Sequence, residues 1–180
     1  MNPARVLRHV VIALACSFSG RAASKTPLDV PFFQQEKNGC GAASVAMVAH
    51  YWGARLAKAP AAVPPPKQVY ERLYLAERLG ISLADMKRYL EELGYNAFTF
   101  HGEWNDLTGQ LSNGRPIIVG LKNRRSERLH FAVVVGMEGD HVWLNDPTRG
   151  KPNRIKQSDF EKQWKSGDRW LLLAAPSRPE

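Results

Sequence analysis

Cysteine is nearly absent from this chain: it has two in 180 residues, and Cys16 lies in an N-terminal segment unlike the rest. Without that segment Cys40 stands alone, which excludes an internal disulfide framework and leaves a free thiol that needs a reason. Long apolar runs are missing too. The early stretch Val10-Val-Ile-Ala-Leu-Ala15 falls far short of the roughly eighteen residues that span a bilayer, and nothing later could span. Five histidines supply no zinc spacing; Cys40 with His50 or His101 and Asp106 is not a convincing ligand set, so no metal and no cofactor is expected. Basic residues gather at Lys122-Asn-Arg-Arg125, Arg128 and Arg149-Gly-Lys151 without the interleaved aromatics of a single-strand platform, so nucleic acid is not an expected partner.

What is present suits one compact globular domain: 44% hydrophobic and 23% charged residues over a length able to bury a core. The first 23 residues differ. Arg5 and Arg8 precede the short apolar stretch, and small residues follow, the layout of an export signal. We therefore expect a signal peptide over 1–23 and a single domain over 24–180, located in the periplasm or outside the cell. Ala13-Leu14-Ala15-Cys16 also loosely resembles a lipoprotein cleavage box, so the expected membrane contact is limited to an N-terminal lipid or an uncleaved signal. Removing the segment lowers the net charge from +8 to +5, because Arg5, Arg8 and Arg21 leave and no acid does. A monomer is expected.

Gly41, Val45, Val48 and Trp52 recur at helical spacing, with Gly53 as a left-handed stop. The four prolines of Ala54 to Lys67 read as an extended surface connection. Helices are expected over Gln68 to Leu79 and after Ser82, where Ser82-Leu-Ala-Asp85 matches a capping box, with Gly94 ending the second. Strands at Tyr95–Phe100, Ile117–Leu121, His130–Gly136, His141–Asp146 and Trp170–Ala174 follow, with short helices from Trp104 to Leu111 and from a Ser158 cap.

A three-residue hairpin loop at Met137-Glu138-Gly139 would make paired residue numbers sum to 276, setting His130 opposite Asp146. Opposed side chains lie about 5 Å apart at their β-carbons, close enough for an imidazole to bond a carboxylate. A loop of two or four residues would put them on opposite faces. Cys40 opens the first helix, where the dipole and a nearby imidazolium both favour thiolate. A glutamine side-chain amide, from Gln34 or Gln35, with the cysteine's own N–H could meet the oxyanion formed when a carbonyl is attacked. Glutamine, cysteine, histidine and aspartate in this order point to a thiol hydrolase.

From about Val30 to Ala174 the chain resembles the C39 family of papain-like cysteine peptidases. The marks are Val30-Pro-Phe-Phe with glutamine before Cys40-Gly41, Gly80-Ile-Ser-Leu-Ala-Asp85 leading to Leu93-Gly94-Tyr95, Gly114-Arg-Pro-Ile-Ile118, His130-Phe-Ala-Val-Val-Val-Gly136, and Asn145-Asp146-Pro147 with Gly150. The resemblance implies an α+β papain-like fold, with the helical half packed on an antiparallel sheet. It implies Cys40 as nucleophile, His130 as general base and then acid, Asp146 as the group orienting the imidazole, and peptide or protein substrates, with double-glycine-type sites expected. Papain-like spacing selects Gln34, whereas stand-alone family members resemble Gln35, which we prefer. Ala42 replaces the proline that often follows the Cys-Gly pair, and transporter regions are missing, which leaves the substrate open. The alternatives are a silent peptide-binding module and an envelope amidase or acyltransferase using the same thiol chemistry.

Overall fold

The computed structural model describes residues 26–56, 63–78, 80–122, 128–150 and 152–177. The expected signal peptide, Cys16, residues 123–125 of the Lys122–Arg125 cluster and Lys151 lie outside the described residues. The elements, in chain order, are α1 (Cys40–Gly53), α2 (Pro66–Leu73), a 3-10 turn (Ala76–Arg78), α3 (Leu83–Glu92), β1 (Tyr95–His101), α4 (Trp104–Ser112), β2 (Ile117–Leu121), β3 (His130–Glu138), β4 (His141–Asn145), β5 (Asn153–Lys156), α5 (Gln157–Ser166) and β6 (Trp170–Pro176). The strands form one antiparallel sheet in the order β1-β6-β2-β3-β4-β5. Among the described residues, no helix is long and apolar enough to cross a membrane.

Both sheet faces are covered, and the period-two alternation of strands sorts the core accordingly. Ile118, Phe131, Val133, Val135, Leu172 and Ala174 point into a cluster with α1, α2 and α3. Ile117, Val119, Ala132, Val134, Leu171 and Leu173 point the other way, onto Leu107 of α4 and Phe160 and Trp164 of α5. The central strands β2, β3 and β6 are buried on both sides, so they read as continuous apolar runs rather than alternating ones, whereas β1 and β5 alternate. Helix α1 is apolar on nearly every side and is correspondingly interior, with residues Gly41 through Ala49 all buried.

Four expectations need correction. Gly53 is not a left-handed stop: α1 closes on Ala54, right-handed with φ −71°, whose N–H donates to the His50 carbonyl. A β-carbon at Gly53 would instead lie 2.6 Å from Val63 Cγ2, so glycine admits a close neighbour there. The proline run is not all extended connection. Pro66 opens α2 at its first position, where a missing N–H is harmless. That helix stops at Leu73 because Tyr74 is extended, at φ −76° and ψ 124°, and Leu75 bridges to Gly80. Ser158 caps nothing: α5 begins at Gln157 straight after β5, a strand that sequence reading missed, and the Gln157 N–H donates to the Asp140 carbonyl.

The fourth correction concerns the β3–β4 hairpin. Its loop is the two residues Gly139-Asp140, with Gly139 at φ +58°, and Glu138 faces His141 while Gly136 faces Trp143, a sum of 279. A bulge at Val135 then changes the register, so Val134 faces Leu144 and Val133 faces Asn145, a sum of 278. Even parity is thereby restored. Continued one step beyond its last pair, this register sets Asp146 opposite Ala132 and makes His130 its diagonal neighbour rather than its direct partner.

Candidate active site

Cys40 is the first residue of α1, so its N–H has no intrahelical acceptor and its thiol sits at the positive end of the helix. The turn leading to it is tight: Asn38 is left-handed at φ +56°, and the Gly39 N–H donates to the Glu36 carbonyl at 2.9 Å. Tyr70 of α2 clamps this turn. Its hydroxyl donates to the Lys37 carbonyl at 3.0 Å, and its ring would lie 2.8 Å from any β-carbon at Gly39. Gly41 has equally little room, since a β-carbon there would meet Met86 Sδ at 2.6 Å and Ile81 Cβ at 3.2 Å.

His130, at the start of β3, reaches both ways. Its Nε2 donates to Asp146 Oδ1 at 2.7 Å, and its side chain also hydrogen-bonds the Cys40 thiol, which leaves Nδ1 as the nitrogen for sulfur. Asp146 Oδ1 additionally accepts from the Thr148 N–H at 3.0 Å and the Thr148 hydroxyl at 2.7 Å, while Arg149 Nε stands 3.8 Å from Oδ2. Sequence reading missed Thr148; its signal is the threonine two places after an aspartate, the pattern of a side-chain-locked turn.

The electrostatics follow this chain of bonds. Burial pushes the Cys40 thiol up, but hydrogen bonds from His130 and the Phe131 N–H, the charge on His130 and the Gly41 N–H outweigh it and hold the thiol below its ordinary value. Burial would lower His130, yet its bonds to Asp146 and Cys40 and their charges raise it to about 9. Burial would raise Asp146, yet the His130 bond and charge and both Thr148 donors bring it to about 2. Near neutral pH imidazolium and carboxylate are therefore the stable forms, and the thiol beside them is shifted toward thiolate.

The thiol opens into a cleft of about 500 Å³ whose wall includes Gln35, Asn38, Ile81, Leu83, His130 and Thr148. Gln35 and Gln34 part company here. Gln35 lines the cleft, and its side-chain amide oxygen is buried with no hydrogen-bond partner among the described residues. Gln34 is exposed and forms no part of that wall. Cys40, His130, Asp146 and Gln35 are thus gathered on one site, fed by α1, by the ends of β3 and β4, and by the segment before α1. His50 and His101 are elsewhere: His50 Nε2 bonds the Pro64 carbonyl, and His101 stacks on Trp170.

Solved peptidase domains share this architecture. A double-glycine motif protease from an AMS/PCAT transporter, solved in complex with the leader peptide, matches with a TM-score of 0.65 at 23% identity, over 86% of this chain and 97% of that one. A C39-like peptidase from Bacillus anthracis matches at 0.63 and 14% identity, over 84% and 96%. The peptidase domain of Streptococcus ComA, a bi-functional ABC transporter involved in quorum sensing, matches at 0.61 and 20% identity, over 82% and 98%. The fold class is therefore the papain-like peptidase fold, mixed helix and antiparallel sheet. Residues 27–169 match the model of the Peptidase_C39 like family, and the chain belongs to that family. Among curated relatives, the lactococcin-G-processing and transport ATP-binding protein LagD of Lactococcus lactis is 28% identical over 133 residues, which are 73% of this chain and 17% of LagD. The probable functional amyloid protease FapD of Pseudomonas fluorescens is 34% identical over 91 residues, 50% of this chain and 37% of FapD. The chain thus spans well under half the length of either.

Proposed function

We propose that the protein is an exported cysteine peptidase that cleaves peptide bonds through Cys40, His130 and Asp146, with Gln35 and the Cys40 N–H as the oxyanion hole. The observation that carries this is the His130 ring, bonded on one side to the thiol and on the other to Asp146 at 2.7 Å. The raised imidazole and the lowered thiol both favour an ion pair between them.

The Cys40 thiolate attacks the peptide carbonyl carbon, and the carbonyl oxygen takes up negative charge facing the Gln35 amide and the helix N-terminus. As the C–N bond breaks, the His130 Nδ1 proton goes to the departing amine, leaving a thioester on Cys40. Neutral His130 then takes a proton from water, whose oxygen attacks the thioester; collapse releases the carboxylic acid and restores thiolate and imidazolium. Asp146 keeps Nε2 protonated throughout, so Nδ1 is the nitrogen that exchanges protons. The leader peptide bound to one structural neighbour supports a peptide in the cleft, and glycine-containing sites of the double-glycine type are the first to try.

Two measurements test the reading. Residues 24–180 are incubated with a glycine-containing peptide library and the new termini are read by mass spectrometry, beside Cys40→Ala. Cleavage lost in the variant supports the peptidase; released amide or a transferred acyl group without new peptide termini moves the assignment to an amidase or acyltransferase. Iodoacetamide labelling of Cys40 against pH comes second. A thiol that titrates as ordinary cysteine, near 8.5, and is indifferent to His130→Ala leaves a peptide-binding module.

A further inference from the structure

Ten residues outside helix and strand, 27–36, precede the turn to Cys40, and three bonds tie them to the sheet and to the chain after β4. The Leu28 N–H donates to the Val135 carbonyl at 2.7 Å, Asn145 Nδ2 donates to the Val30 carbonyl at 3.0 Å, and the Gln35 N–H donates to the Pro147 carbonyl at 3.0 Å. The first bond uses the bulged residue of β3, whose carbonyl is spared from the β4 ladder. Gly136 beside it leaves room, because a β-carbon there would lie 2.8 Å from Pro27 Cα.

Asn145 is the informative member. Ser44 and Asn145 are the polar side chains fully buried among the described residues, and Asn145 is 1% exposed. It lies directly opposite Val133, on the sheet face that packs against α1 and Val30. Val30 is itself buried, so its carbonyl needs a protein donor, and Asn145 supplies one. Residues 145 and 147 therefore hold the segment that ends in Gln35, while Asp146 between them holds His130.

We infer that Asn145 is a positioning residue for the oxyanion hole: through the Val30 carbonyl it fixes the segment that presents Gln35 to the cleft. The inference rests on the peptidase reading above. It makes a distinction that proximity to Asp146 alone would not. An oxyanion donor acts only when a carbonyl is attacked, whereas alkylation of Cys40 by iodoacetamide forms no oxyanion and depends on the thiolate and His130 alone.

The test is Asn145→Leu, which keeps the branched shape and removes the donor, with Asn145→Ala as a smaller donor-free replacement if the first does not fold. Both are measured against wild type and Gln35→Ala on a peptide that the wild type cuts. The expected result is a fall in kcat of about 10- to 100-fold, somewhat below the roughly 10²–10³ for outright loss of an oxyanion donor. KM stays within about threefold, the rate and pH profile of Cys40 alkylation are unchanged, and Asn145→Leu adds little to Gln35→Ala in the double variant. An unchanged kcat overturns the inference, as does full additivity with Gln35→Ala. A matching shift in the alkylation profile also overturns it, because the residue would then act through Asp146 and His130. These outcomes leave the peptidase reading standing; a wild type that alkylates readily but cuts no peptide sinks that reading and takes this inference with it.

Discussion

On the thiol side of the cleft, Cys40 is held by contact: Tyr70 presses on Gly39, Met86 and Ile81 press on Gly41, and α1 is buried almost all round. On the imidazole side, His130 is held by bonds, with one oxygen of Asp146 accepting from the ring and twice from Thr148. Packing resists displacement but says nothing about charge, whereas hydrogen bonds to a carboxylate set position and protonation together. Damage to the first side should therefore register as lost stability, and damage to the second as a changed pH profile.

The sharpest way to break this contrast is Asp146→Ala. It removes the bond and the charge that raise His130, so the alkaline limb of activity moves below about 9 and kcat/KM falls by about 10²–10⁴, the usual span when a general acid–base group such as His130 is disabled. A pH profile left in place would mean that Asp146 does not govern the ring. Met86→Ala probes the other side. Met86 is fully buried under Gly41, so the variant should lose about 2–5 kcal/mol in denaturant unfolding while the pH midpoint of Cys40 alkylation stays put. Thr148→Val should cost about tenfold in kcat/KM, as hydrogen bonds to charged groups contribute about 1.5–3 kcal/mol, and should raise slightly the pH at which activity fails on the acid side, since it removes the hydroxyl and leaves the N–H of the two Thr148 donors that lower Asp146. Arg149→Ala should change kcat/KM by less than about threefold, because the Arg149 side chain is itself largely exposed and stands 3.8 Å from the carboxylate.

The same shifts fix the sign of stability against pH. His130 is raised on folding, so its contribution is full below about 6.5 and fades as pH climbs through about 9. Asp146 is lowered, so its contribution is full above about 3.9 and fades as pH falls toward about 2. Thermal melting should therefore peak between about pH 4 and 6.5 as far as this pair decides it, and a His130→Ala/Asp146→Ala double variant should flatten that peak.

Local patterning made much of the molecule legible. Apolar spacing announced α1, Ser82 announced α3 by the cap its side chain makes to the Asp85 N–H, and the runs at Ile117, His130 and Trp170 announced central strands. The hairpin was harder, and its partial success is instructive. A three-residue loop was expected and two residues are found; that slip alone would have thrown His130 and Asp146 to opposite faces, but the Val135 bulge shifts the register by one more residue and brings them back. Bulges have no composition of their own. This one is occupied by the Leu28 N–H, a contact more than a hundred residues away in the chain.

By itself, then, the sequence determined where α1, α3 and the central strands lie, because propensity, capping and periodicity act within a few residues. The tertiary structure decided what spacing cannot reach: that Gln35 rather than Gln34 lines the cleft, that Thr148 shares the Asp146 oxygen with His130, and that Asn145 takes up the Val30 carbonyl. Each of these turns on where a polar atom finds its partner once water is excluded, and that partner is chosen by the packing of distant segments rather than by neighbours in the chain.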